Sequence, residues 1–214
     1  GLAGTAAAVS FSENSVPDTA EVNSSQTATV TLSDLYSDGA PSEWTLRAET
    51  NLTGDRTWQI SKKKFGGAGI VNESGSGEGI ETSVSQSSDH ETITLTVSGT
   101  MPNRTEYSYD PQQNLSGITL YRVTDSGETK IESVDVAYYL ENSKAAREEI
   151  DQAEQAIEKA GGDKDAENSL QSAISFYNNG QFGDAIREAN NAEEKATQAK
   201  QSQQTTQLLV YGGV

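Results

Sequence analysis

The stretch "VDVAYYLENSKAAREEIDQAEQAIEKA" (residues 134–160) contains the change of period that decides the fold. Val134, Val136 and Tyr138 recur at every second position, the repeat of a strand with one buried and one wet face. From Tyr139 the repeat lengthens. Ala146, Ile150, Ala153, Ile157 and Ala160 fall at the spacing of one stripe along an amphipathic helix. A chain that reads as strands before this point and as helices after it belongs to the α+β class.

Working back towards the N-terminus, the alternation continues. Val9 and Phe11; Ala28, Val30 and Leu32; Trp44, Leu46 and Ala48; Trp58 and Ile60; Ile93, Leu95 and Val97; and Ile118 and Leu120 each repeat with period two among Thr, Ser, Glu and Arg. Gly-, Ser- and Asp-rich turns such as "SDGAPS" (37–42), "ESGSGEG" (73–79) and "DSGE" (125–128) separate the runs. The pattern predicts an antiparallel, Ig-like β-sandwich over 9–138, with Trp44 and Leu46 inward and Thr45 and Arg47 outward. Residues 1–8, "GLAGTAAA", read as a flexible terminus or the frayed end of a signal peptide.

Working forward, "GGD" (161–163) ends the first helix, and Asp163 is placed to cap the next. Leu170, Ala173, Ile174 and Tyr177 form a second stripe; Phe182, Ala185, Ile186, Ala189, Ala192 and Ala196 form a third. The expected helices are 139–160, 164–179 and 181–204. Around the second break, "AISFYNNGQFGDAIREANNA" (173–192) resembles the tetratricopeptide turn, with an aromatic, Asn-Gly, a second aromatic and Ala-x-x-x-Ala. A repeat array needs about three units to build a groove, so one turn implies a three-helix bundle or stalk over 139–204. Phe176, Tyr177 and Phe182 are its candidate partner-binding residues: exposure of these rings would favour an interaction adaptor, and burial a stalk. The final "QQTTQLLVYGGV" turns apolar at Leu208, and 205–214 read as the start of a membrane anchor continuing past Val214, with a buried terminal strand as the alternative.

Charge narrows the function. The chain carries 32 Asp and Glu against 15 Lys and Arg, a net charge of −17 spread over both segments. Such a surface repels nucleic acid and anionic lipid, and molar salt, with a screening length of about 3 Å, relieves its self-repulsion. A halophilic host follows as the expectation. The absence of Cys removes disulfides, thiolate metal sites and thiol nucleophiles.

Asn23, Asn51, Asn72, Asn103 and Asn114 each begin an N-x-[ST] acceptor, all in the strand segment and none among the helices, which points to an extracellular domain. Other motifs have plainer readings. His90, the lone histidine, sits beside Asp89 and Glu91 in "SSDHETITL" and reads as a solvated turn. "DKDAEN" (163–168) lacks the Gly and Glu of a calcium loop, so its acids read as helix N-terminal residues. "KKK" (62–64) reads as charge protecting a sheet edge. "GSGEG" reads as a hairpin tip, and with a single His no Ser nucleophile has an evident base. No catalytic residue, metal or cofactor is implied.

On "ITLTVSGTMP" (93–102), "ITLYRV" (118–123), the acceptor sites and the Ala-rich helices, the chain resembles secreted surface proteins of haloarchaea. That family type has an acidic, Ser/Thr-rich sandwich, a helical juxtamembrane segment and a C-terminal anchor. The resemblance implies a non-enzymatic cell-surface structural or binding module held off the membrane by its helices. The alternatives are an adaptor docking a protein partner through the bundle, and a self-associating filament subunit whose Ala-rich N-terminal strand completes a neighbour's sheet.

Overall fold

The computed structural model describes residues 9–37, 40–104 and 106–211 and divides into two compact units. The first holds the chain up to Asn103 and again from Asn114 to Tyr138. The second holds Arg104–Gln113 together with the chain from Tyr139. The expectation for residues 1–8 lies outside the described residues.

The first unit is an antiparallel sandwich of ten strands: β1 (Ser10–Ser15), β2 (Thr19–Glu21), β3 (Ser25–Ser33), β4 (Glu43–Glu49), β5 (Thr53–Lys64), β6 (Ile70–Ser76), β7 (Gly79–Ser85), β8 (His90–Thr100), β9 (Asn114–Thr124) and β10 (Gly127–Tyr139). One sheet has the order β1-β3-β8-β5-β6 and the other β2-β10-β9-β4-β7. Within them, β1-β3-β8-β5 and β10-β9-β4 follow the two strand orders of an Ig-like sandwich, with β2, β6 and β7 added at the edges. Trp44, Leu46, Trp58, Ile93, Leu95, Val97, Ile118 and Leu120 are all buried in its core, as the alternation predicts. Thr45 and Arg47, between them in sequence, are half-buried on the outer side. Each large side chain withdrawn from water contributes about 1.5–3 kcal/mol.

The second unit contains α1 (Glu141–Ala160), α2 (Lys164–Asn178) and α3 (Phe182–Tyr211). The Ser143 hydroxyl accepts the N–H of Leu140 at 2.9 Å, closing the start of α1. Gly161, at φ 79°, closes its end by donating to the carbonyls of Glu158 and Ile157. The Asp163 carboxylate caps α2, accepting from the N–H groups of Asp165 at 3.1 Å and Ala166 at 2.9 Å. Ala146, Ala153, Ala166, Ala173, Ala185, Ala189, Ala192 and Ala196 are buried where the helices meet, and their small side chains let the helix axes approach closely.

Two differences from the sequence reading concern boundaries. Residues 104–113 belong with the helices, not with the strands that flank them. The third helix, expected to stop at 204, runs to Tyr211, because no Gly or Pro interrupts "QLLVY" and Leu is a strong helix former. Leu208–Val210 are therefore helical and do not form a strand of the sandwich. Among the described residues no helix is long and apolar enough to cross a membrane.

Candidate functional site

The outer face of the first sheet carries a regular array of hydroxyl side chains. "TATVT" in β3 and "TITLTVS" in β8 alternate Thr or Ser with apolar residues, so once the apolar set is buried the hydroxyls stand outward. The register places Thr27 beside Ser98, Thr29 beside Thr96 and Thr31 beside Thr94. Their hydroxyls pair across the strands at 2.9, 3.0 and 2.9 Å. β5 continues these rows with Thr57, Gln59 and Ser61, and β6 completes them with Ser76, Ser74 and Asn72. A groove of about 290 Å³ lies on this face along β8, β5 and β6. No Asp, Glu, Lys or Arg occupies any position of the three rows.

The other sheet presents a different outer face. There Arg47 is ion-paired to Glu128 at 2.7 Å and to Glu49 at 3.1 Å, and its guanidinium lies 4.8 Å from the centre of the Tyr121 ring.

Behind the hydroxyl face, a polar cluster joins the two sheets. Lys62 points inward in line with Trp58 and Ile60 and is 3% exposed, which corrects its reading as an exposed edge charge. The reason is topological: β5 lies between β8 and β6 and is not an edge. The Lys62 ammonium is ion-paired to Glu73 and donates to Thr82 Oγ1 at 2.8 Å and to the Ser83 carbonyl at 3.2 Å. Thr82 in turn donates to Glu73 Oε2 at 2.6 Å. Burial alone would raise the Glu73 carboxyl, but the hydrogen bonds from Lys62 and Thr82 hold it below its ordinary value.

His90 is likewise buried, which corrects its reading as a solvated turn. Lys63 pairs with Thr92 and Lys64 with His90, so Glu91 is an extra residue in a β-bulge, and the bulge turns His90 to the inner face. Burial, followed by Lys62 and Lys64, keeps the imidazole below its ordinary value, and its Nδ1 has no hydrogen-bond partner among the described residues.

In the helical unit the candidate aromatics are covered by the chain itself. Tyr177 is buried, while Phe176 and Phe182 are half-buried. Tyr107 meets Phe182 edge-on at 4.8 Å, and Tyr109 meets Tyr177 at 5.9 Å. The Tyr109 hydroxyl donates to Asp151 Oδ1 at 2.6 Å, and its backbone N–H donates to Asn178 Oδ1 at 2.7 Å. Burial, reinforced by Asp151 and Glu154, pushes the phenol far above its ordinary value. Arg147 stacks 4.5 Å from the Tyr109 ring and 5.4 Å from the Tyr177 ring, and donates to the carbonyls of Ser108 and Tyr109. Gly180, at φ 75°, brings the turn against Tyr107, where an added Cβ would lie 3.5 Å from the ring. The available signal was the pair of tyrosines in "EYSYDP" (106–111), within an unusually long connection between strands.

All five acceptor asparagines are exposed. Asn72 lies on the hydroxyl face, and Asn51 lines a cleft of about 600 Å³ with Arg47 and Arg56. Asn103 and Asn114 flank the segment that joins the helices. Thr105, the hydroxyl residue of the Asn103 acceptor, lies outside the described residues.

No protein-family model matches the sequence, and no curated protein does. Among solved structures, the sporulation control protein Spo0M from Bacillus subtilis is similar over 67% of this chain and 54% of its own, at 9% identity and a TM-score of 0.34. The present chain thus spans about half the length of that protein. AvmM, which catalyzes macrocyclization in alchivemycin A biosynthesis, is similar over 62% of this chain and 88% of its own, at 11% identity and a TM-score of 0.34. A beta-glucosidase from Listeria innocua is similar over 61% of this chain and 16% of its own, at 12% identity and a TM-score of 0.24. Likeness at this level carries no argument about function.

Proposed function

We propose that this chain is a non-enzymatic cell-surface module of a halophilic, haloarchaeal type: a glycosylated sandwich that presents a binding or structural surface, carried away from a membrane anchor by a helical stalk. The observation that carries this reading is the exposure of Asn23, Asn51, Asn72, Asn103 and Asn114, so that oligosaccharides at all five would leave the folded sandwich intact. The acidic surface supports a salty exterior. The stalk assignment is supported by the length of α3, about 45 Å at 1.5 Å per residue, and by the apolar sequence Leu208, Leu209, Val210 and Tyr211 in its last turn. The adaptor alternative is weakened by Tyr107 and Tyr109, which take up the aromatic face a partner would need. The test is lysine labelling of intact cells with a membrane-impermeant reagent, followed by glycopeptide mass spectrometry. Labelling before lysis together with glycans on the acceptors is expected; a chain that labels only after lysis and carries five bare asparagines overturns the reading.

A further inference from the structure

We propose that the outer face of the β1-β3-β8-β5-β6 sheet binds an uncharged polysaccharide. The inference rests on the surface-module reading and names the ligand class of that surface.

Three successive rows across β3, β8, β5 and β6 hold twelve outward positions, all of them Thr, Ser, Gln or Asn. A solvated face in this chain would be expected to carry acids, which make up 32 of its 214 residues. The opposite sheet does so, with Arg47, Glu49 and Glu128 facing outward. The loss of charge is confined to these three rows, since Lys63, two residues beyond Ser61 on the same face, pairs with Glu91 at 3.4 Å, and it does not follow from being a sheet exterior.

An uncharged ligand gains from that confinement. Covering an ion without pairing it is costly, whereas covering hydroxyls and amides against other hydroxyls exchanges one set of hydrogen bonds for another. Each Thr or Ser hydroxyl both donates and accepts, as does the amide of Gln59, which suits a polymer whose own groups are hydroxyls; Asn72, at the β6 end of its row, is an acceptor site, and a glycan there leaves the positions on β3, β8 and β5 to the ligand. A polyanion would meet the net charge of −17, and a polycation would be drawn to the acidic surface elsewhere. The groove at Gln59, Ser61, Ser74, Thr94 and Thr96, with Asn72 and Glu73 on its β6 side, offers a seat for one stretch of chain. The array is also preorganised: β-branched side chains hold few rotamers, and the pairs Thr29–Thr96 and Thr31–Thr94 tie neighbouring hydroxyls together. No aromatic ring stands in these rows, so individual contacts are modest and retention depends on repeated contacts along a polymer.

The test is co-sedimentation of the full chain with microcrystalline cellulose, chitin and granular starch, in low salt and in molar NaCl. Retention on at least one of them, unchanged by salt, is expected, because no ionic contact is involved. The double variant Thr94→Val/Thr96→Val keeps the β-branched shape and removes two central hydroxyls; it should bind at least tenfold more weakly with an unaltered melting midpoint. Thr45→Val, on the other sheet, should bind like the unmodified chain. Four results would overturn the proposal: no retention on any of the three polymers, equal retention by the double variant, retention that vanishes in molar salt, or a concentration-dependent dimer abolished by Thr96→Glu, which would assign the face to a second copy. Absent retention from a chain that labels on intact cells removes this inference alone, whereas absent labelling removes the surface reading whatever the sedimentation shows.

Discussion

Lys62 in one sheet donates to Thr82 Oγ1 in the facing sheet at 2.8 Å, so that an ammonium group bridges the two layers of the sandwich from within its core. Glu73 completes the arrangement as the ion-pair partner of the first and hydrogen-bond acceptor of the second.

Replacing Lys62 with Ala should cost about 3 kcal/mol, the low end for breaking a buried pair, because the Glu73 side chain retains some contact with water. Lys62→Met/Glu73→Gln, which fills the space and removes both charges, should recover part of that loss. Chemical denaturation of the three proteins measures it. Equal midpoints for Lys62→Ala and the unmodified chain would mean that the bridge contributes nothing.

Acid should weaken the sandwich in two stages. The imidazole of His90 is held below its ordinary 6.5, so the unfolded chain binds the proton more readily; stability is full above that value and declines as the pH falls towards the folded value. Glu73 is held below 4.5, so its contribution is full above that value and is lost at lower pH. Melting midpoints recorded between about pH 8 and pH 3 should therefore fall first in the imidazole range and again in the carboxylate range. His90→Gln should flatten the first decline and leave the second; a decline near 6.5 that persists in the variant would assign it to another group.

Salt should raise the melting midpoint at fixed pH, since screening relieves repulsion among 32 acidic side chains. A series from low to molar NaCl is the measurement. A flat or falling midpoint would count against a halophilic origin.

Tyr109→Phe should destabilise the helical unit by about 1–2 kcal/mol by removing a hydroxyl that donates to the Asp151 carboxylate. Helix circular dichroism under denaturation reads the effect. Arg147→Ala should cost at least as much, since it removes two carbonyl contacts and a stacking partner shared by two rings.

The inward sets of both units were legible in the sequence for a simple reason. A period of two or of about three and a half states which side of an element is covered, and Trp44, Trp58, Leu95, Ile150 and Ala153 needed no other information. Lys62 was misread because its burial depends on β6 pairing outside β5, a contact between strands and not a property of either one. His90 was misread because one extra residue at Glu91 reverses the alternation. The hydroxyl face was half legible: its Thr-x-Thr pattern stands in the sequence of β3 and β8, but the rows appear only once the register sets four strands side by side. The segment 104–113 carried no period, and its place among the helices rests on the contacts of Tyr107 and Tyr109.

That segment also changes how the chain would bear mechanical load. The polypeptide passes between its two units three times, at 103–104, 113–114 and 138–139. A pull on α3 is resisted not by the single peptide link after Tyr138 but also by a clasp in which Asn178, Asp151 and Arg147 grip Tyr109, whose flanking chain runs into β8 and β9. A cut between Tyr139 and Leu140 would therefore leave the helices attached, and tension applied along α3 would be divided among the two long strands β8 and β9 and the terminal strand β10.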